Sequence, residues 1–254
     1  MSKFATGLAA AVALLASFQI AQAAEIRVIT VGGLQRGIGP IAQDFAAASG
    51  HQVKFTYTNP ANLSKSLVSE GPFDVVVVAS SSVDELEKAG KLQASSHVKM
   101  VRGGIAVTVK EGVLKPDIST PEKLKAAIAA AKTIVYTDPA TPNGSGEKTK
   151  TILSGIGAWD MVVAKGRKES LGTGKELVAK GDAELGLFNA SEAEAPGCVI
   201  AGIIPASIQQ YTNYDAAVLA DAASKDAAGA FVKFLASEAG RKRWRAAHLE
   251  YTGS

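Results

Sequence analysis

Asp74-Val75-Val76-Val77-Val78-Ala79, followed at once by Ser80-Ser81-Ser82, is the stretch whose reading decides the fold. Four consecutive valines without polar alternation describe a strand covered on both faces, the habit of parallel strands in α/β proteins. The serines lead directly into a helix, Val83–Ala89, closed by Gly90. On the N-terminal side, Glu25–Val31 is a second β-branched run that stops at Gly32-Gly33. Ile38–Ser49 then carries helical spacing (Ile38, Ile41, Phe45) and ends at Gly50. Gln52–Thr58 alternates as a strand, Asn59-Pro60 breaks it, and Leu63–Glu70 reads as a helix closed by Gly71-Pro72.

The pattern continues toward the C-terminus. Ile105–Val109 is a strand, Pro121–Ala131 a helix with Thr120 as its N-cap, and Thr133–Tyr136 a strand running into Asp138-Pro139. Gly146–Leu153 and Glu176–Lys180 are helices, Glu184–Phe188 and Ala217–Leu219 strands, and Asp226–Ala247 holds the C-terminal helices. Strands alternating with helices at this rate predict parallel α/β sheets with helices on both faces.

The first residues stand apart from this pattern. Lys3, the apolar run Phe4–Ile20 and the small-x-small Ala21-Gln22-Ala23 predict a signal peptide over 1–23, cleaved before Ala24, and hence a periplasmic protein. No later apolar run is long enough for a bilayer span, so the mature chain is not expected to be membrane-embedded. The mature chain suffices for one large domain or two ordinary ones. Its single Cys198 cannot form an internal disulfide. The net charge is only +3, and the one basic run, Arg241–Arg245, sits at the end of a helix where cations suit the dipole. Nucleic-acid binding is therefore not expected.

Ligands of open parallel sheets sit beyond the carboxyl ends of strands, where helix N-termini offer free N–H groups and partial positive charge to anions. Four such junctions are present: Gly32-Gly33-Leu34-Gln35-Arg36, Asn59-Pro60-Ala61-Asn62, Ala79-Ser80-Ser81-Ser82 and Pro142-Asn143-Gly144-Ser145-Gly146. Four in register with a parallel-sheet pattern point to an anion cleft.

The whole mature chain resembles the molybdate-binding-protein-like branch of the periplasmic solute-binding (type II) family. The likeness is carried by Ile26–Leu34, Phe73–Ser80 with Val83–Leu86, Asp138-Pro139 through Gly146, and Ile156-Gly157-Ala158-Trp159-Asp160. It is most specific in Gly181-Asp182-Ala183-Glu184-Leu185-Gly186-Leu187 followed by Ser191-Glu192-Ala193. The resemblance implies two lobes, each a mostly parallel sheet flanked by helices, joined by two crossing strands and closing on ligand. Lobe one would be 24–102 plus 216–254, and lobe two 103–215.

The junctions and the resemblance together give an expected ligand site at Gly33, Arg36, Asn59, Ser80, Arg102, Asn143, Ser145, Phe188, Asn189 and Tyr214. Molybdate binders of this family use two serine hydroxyls, backbone N–H groups and a tyrosine. Here Gly33 stands at the first serine position, and the second falls in Asn59-Pro60-Ala61, which has no serine. Ser145 and Phe188 match backbone-donor positions and Tyr214 the tyrosine. Losing two hydroxyl donors from a desolvated oxyanion costs about 1–3 kcal/mol each. Arg36, Lys65, Arg102 and Lys148 near the same junctions suit instead a ligand with two or three carboxylates, which arginine binds bidentately.

Two functions fit. One is a monomeric binding protein delivering an organic anion to an inner-membrane ABC permease. The other is an isomerase like the aconitate isomerases that resemble this chain, moving a proton and double bond in an unsaturated tricarboxylate without a cofactor. In the second, Arg36 and Arg102 would hold carboxylates, and Lys65, Lys148, Glu147 or Tyr214 would move the proton. His51, His97, His248 and Cys198 are spaced for neither a metal nor a nucleophilic triad, and are expected on the surface or in packing.

Overall fold

The computed structural model describes residues 23–59, 61–140, 145–169 and 174–253. The expected signal peptide lies outside them, save for Ala23, as do Pro60 and residues 141–144, Asn143 among them. In chain order the elements are β1 (Glu25–Val31), α1 (Gln35–Ser49), β2 (Gln52–Thr58), α2 (Leu63–Ser69), β3 (Val75–Ala79) and α3 (Ser80–Lys88). Then come β4 (Val98–Gly103), β5 (Ile105–Lys110), α4 (Pro121–Ala130), β6 (Ile134–Thr137), α5 (Ser145–Gly155), α6 (Trp159–Lys165), β7 (Gly166–Glu169) and α7 (Gly174–Lys180). The chain closes with β8 (Leu185–Asn189), β9 (Cys198–Ile203), β10 (Thr212–Val218), α8 (Lys225–Leu235), α9 (Glu238–Ala246) and β11 (Glu250–Tyr251).

Two sheets result, each with its own core, and they make the two lobes. The first runs β11-β4-β10-β3-β1-β2 and the second β7-β6-β8-β5-β9. Both are mixed rather than mostly parallel. β1, β2 and β3 pair in parallel, as do β6 with β7 and β8. β10, β4 and β11 are antiparallel additions to the first sheet, and β5 runs antiparallel to both β8 and β9. The reason is the double crossing: a strand leaving one lobe and another returning must run in opposite senses.

The valine strand behaves as its sequence predicts. Val75, Val76, Val77 and Val78 are all buried in the centre of the first sheet. α1 buries Ile38, Ile41 and Phe45 and ends at Gly50, whose φ of 76° is the left-handed cap that glycine accepts without strain. The Thr120 side chain caps α4 by accepting from Lys123 N–H. Asp74 is buried with both oxygens used, accepting from Arg27 N–H (2.9 Å) and Ser224 N–H (3.1 Å).

The crossing point is stitched by Gln209. Its side chain accepts from Ile105 N–H at 2.9 Å and donates to the Ile105 and Ile204 carbonyls. Gly103 and Gly104 let the backbones approach: a Cβ at 104 would stand 2.7 Å from the Gln209 amide.

The basic run at the C-terminus is structural. Arg243 forks onto Asp44 of α1 at 2.8 and 3.0 Å, Arg245 pairs with Glu238, and Arg241 lies over the Tyr251 ring. Between them Trp244 is fully buried, donates to the Leu235 carbonyl and packs flat on Gly37, where any Cβ would overlap its ring. Trp244→Ala is therefore expected to lower stability by about 3–5 kcal/mol. Gly37→Ala should cost about 1–3 kcal/mol by overpacking. Denaturant unfolding of the purified chain checks both.

Candidate functional site

β1 ends in a 3-10 turn, Gly32–Leu34, and β8 in another, Ala190–Glu192. The two turns come from different lobes and face each other, and the groups converging between them define the cleft. A Cβ on Gly33 would stand 3.4 Å from the Tyr214 hydroxyl and 3.9 Å from the Ser191 hydroxyl. One on Gly32 would stand 3.9 Å from Glu192 Oε1. The bare glycine backbone thus faces a phenol, an alcohol and a carboxylate. Asn189 orients that carboxylate by donating from Nδ2 to Glu192 Oε2 at 3.0 Å.

Tyr214 reaches the cleft from β10, where its Cα partner is Ala79, the residue just before Ser80 at the start of α3. Its ring is buried beside Gly103. Burial, reinforced by the negative charge of Glu192, pushes its pKa up to about 12. At neutral pH Tyr214 is therefore a phenol, a donor rather than a base.

α5 begins at Ser145, and its hydroxyl is buried with no hydrogen-bond partner among the described residues. Gly146 is pressed against the Thr137 and Asp138 carbonyls, where a side chain would not fit. A buried hydroxyl without a partner costs stability, and Thr108 Oγ1 is the other such group among the described residues. Lys148, in the first turn of α5, is half-buried and has no ion-pair partner among the described residues.

The lobes are also tied by charge. Arg36 of α1 meets Glu194 at 3.2 Å, and His248 Nε2 approaches the same oxygen, Glu194 Oε2, at 3.0 Å. Partial burial works against the Glu194 carboxylate, but His248 and Arg36 outweigh it and hold its pKa below the usual glutamate value. Arg36 is thus already poised against a carboxylate across the cleft.

The other expected site residues are placed differently. Arg102 turns away from Gly33 and Tyr214: it forks onto Glu250 of β11 at 2.8 Å and stacks on the Tyr211 ring, 4.1 Å from its centroid. It lines a hollow of about 250 Å³ at the crossing point with Arg245 and His248. Asn59 spends its side-chain oxygen on Asn62 N–H. Phe188, expected to contribute its backbone N–H, has its ring in the core on Gly174 and Gly186, which leaves that expectation untouched. Lys65 and Glu147 are exposed, and Ser80 is half-buried at the mouth of α3. Asn143 lies outside the described residues.

Sequence reasoning passed over Ser191, Glu192 and Glu194 as ligand groups, although the segment containing the first two was its most specific stretch. It also set His248 aside. His51 does pack, its Nδ1 accepting from Ala24 N–H, and Cys198 is buried in the second lobe. His97 bridges two carboxylates, Glu87 and Asp215. A groove of about 480 Å³ between α2 and α3 has an apolar floor of Leu63, Leu67, Phe73 and Leu86, with Glu85, Lys91 and Asp221 also lining it.

The family described as bacterial extracellular solute-binding protein matches residues 26–250. The chain belongs to that family. Among curated relatives of this solute-binding chain is an aconitate isomerase from Pseudomonas sp., 31% identical over 241 residues, covering 91% of this chain and 90% of that protein. Solved structures show the same two-lobed α/β fold. A Clostridium difficile substrate-binding domain described as that of a molybdenum ABC transporter superposes with a TM-score of 0.76 at 16% identity, over 91% of this chain and all of the other. The periplasmic molybdate-binding protein of Azotobacter vinelandii gives 0.68 at 20% identity, over 90% and 99%.

The interlobe tie has a defined pH dependence. Because the folded-state pKa of Glu194 is lowered, its stabilisation is present above the ordinary value of 4.5 and is lost as pH falls through the folded value. With both partners about a third exposed or more, the effect is of order 1 kcal/mol or less. Melting of ligand-free wild type and Glu194→Gln should differ slightly at neutral pH and converge in acid. A difference that grows on acidification would contradict the tie.

Proposed function

We propose that the cleft binds a small di- or tricarboxylate and isomerises it, moving a C=C bond by the 1,3-proton shift that interconverts cis- and trans-aconitate. The observation that carries this reading is the similarity to an aconitate isomerase along nine-tenths of both chains. The site supports it in three ways. Arg36 is set to receive a carboxylate at the place where Glu194 now stands. Ser145 and the first turns of α3 and α5 offer neutral donors to further anionic oxygens. Gly33 supplies no hydroxyl donor at that position, and the Tyr214 and Ser191 hydroxyls stand over its backbone instead.

The reaction needs no external reagent. A base removes one methylene proton next to the unsaturated carbon, and the electron pair shifts into the allylic system, delocalised toward a carboxylate that the cations hold. The proton is then returned to the formerly vinylic carbon, leaving the double bond one position along. Glu192, oriented by Asn189 and facing the Gly32 backbone, is the residue best placed to accept the proton. Tyr214, kept protonated, donates to the developing charge. Lys148 holds a substrate carboxylate or shares the proton transfer, while exposed Lys65 and Glu147 are less well placed.

A second reading, favoured by the family description, is a carrier that binds the same anion for uptake through an ABC permease. Both place the protein outside the inner membrane after removal of residues 1–23, and one experiment separates them. Purified mature protein incubated with cis-aconitate in heavy water is expected to exchange a methylene proton and accumulate the trans isomer by NMR. Glu192→Gln should slow turnover by about 100-fold or more while ligand still raises the melting temperature. Tyr214→Phe should fall between this variant and wild type. Aconitate returned unchanged by wild type after hours would end the isomerase reading and leave the carrier.

A further inference from the structure

His97 lies just ahead of β4, on the side of the first lobe where α3 packs over the sheet. Asp84 and Glu87 project from α3 one turn apart, and a ligand atom from each of them and from His97 falls within 4.8 Å of the others. These three alone are an exposed histidine–carboxylate cluster of a common kind. What distinguishes them is Asp215. It stands on β10, not on α3, its side chain is only 6% exposed, and its Oδ2 lies 2.7 Å from His97 Nε2.

That contact fixes the imidazole. A buried aspartate needs a donor, so Nε2 carries the proton and Nδ1 is turned outward to Glu87 Oε2, 2.9 Å away. In a neutral ring Nδ1 would then set its lone pair against a carboxylate oxygen, two acceptors at hydrogen-bond distance. A positive centre between them satisfies the arrangement, either a proton, which makes His97 an imidazolium paired with both carboxylates, or a metal ion. A carboxylate behind the far nitrogen of a metal-binding histidine is the usual outer-shell partner, orienting the ring and raising its basicity.

We propose that Asp84, Glu87 and His97 Nδ1 form a binding site for a divalent transition ion of the zinc class, with Asp215 as the outer-shell carboxylate. One imidazole and two carboxylates suit such an ion better than magnesium or calcium, which take all-oxygen ligand sets. Three protein ligands leave a fourth position for water. Occupancy would clamp α3 to the loop before β4, and α3 is the helix whose first residue, Ser80, opens on the cleft. The proposal does not depend on which ligand the cleft takes.

Chelator-treated full-length mature protein titrated with Zn²⁺ alone by calorimetry should bind one equivalent in the micromolar range, and Zn²⁺ should raise its melting temperature. Co²⁺ should give a visible d–d spectrum that Zn²⁺ displaces. The double variant Asp84→Asn, Glu87→Gln keeps the His97–Asp215 pair and hence the fold, and should weaken binding by about tenfold or more. Glu194→Gln, which removes the separate His248–carboxylate pair, should leave binding unchanged. Absence of saturable Zn²⁺ binding, or binding insensitive to the Asp84/Glu87 variant or lost in Glu194→Gln, would overturn the proposal.

Discussion

Strand β10 is the constraint on which the rest of the structure depends. It threads antiparallel between β3 and β4, so the chain returning from the second lobe becomes an inner strand of the first sheet. Its pairing with β4 is irregular: Tyr214 stands opposite Val101 and Asp215 opposite Lys99, leaving Met100 unmatched. The extra residue belongs to β4, while β10 keeps regular register with β3. Successive side chains of a strand point to opposite faces, so Tyr214 stands next to Gly33 and Gly103 while Asp215 reaches His97 under α3. Two adjacent residues of one buried strand thus serve opposite faces of the sheet.

The cleft follows from what that strand is placed against. Two strand ends, β1 and β8, run out at the same level from opposite lobes, and each turns tightly, one through glycines and the other through Ser191 and Glu192. Glycine at 32 and 33 lets the polar groups of the second lobe approach the backbone of the first. Arg36 is paired with Glu194 of the second lobe, so under the proposed function a carboxylate ligand would exchange one ion pair for another rather than desolvating a bare guanidinium, the costlier step.

Much of the fold was legible because burial leaves a plain mark on sequence. The valine run, the helical spacing of Ile38, Ile41 and Phe45, the cap at Thr120 and the glycine stop at Gly50 are local signals with local causes. β10 was read only from Ala217 because its first half, Thr212-Asn213-Tyr214-Asp215, is polar and takes its strand character from the neighbours on either side. β7 and β11 are short and charged, β4 is interrupted by Lys99 and Arg102, and β9, though apolar, follows Pro196-Gly197 with no alternation to mark it. The site was half legible. Tyr214, Ser145 and Arg36 sit at junctions that spacing and resemblance point to. Arg102 sits at one too, but its partner Glu250 is 148 residues away and no local pattern announces the pair. Glu192, Glu194 and His248 acquire their meaning only when the lobes meet.

The most direct test of the account is a calorimetric comparison of trans-aconitate and molybdate binding to the same mature protein, wild type and Arg36→Ala. The account predicts a single carboxylate site, weakened by about 1.5–3 kcal/mol in the variant as expected for a charge-assisted hydrogen bond. Molybdate should give no binding heat and should not compete. Tight molybdate binding with no response to trans-aconitate would contradict it.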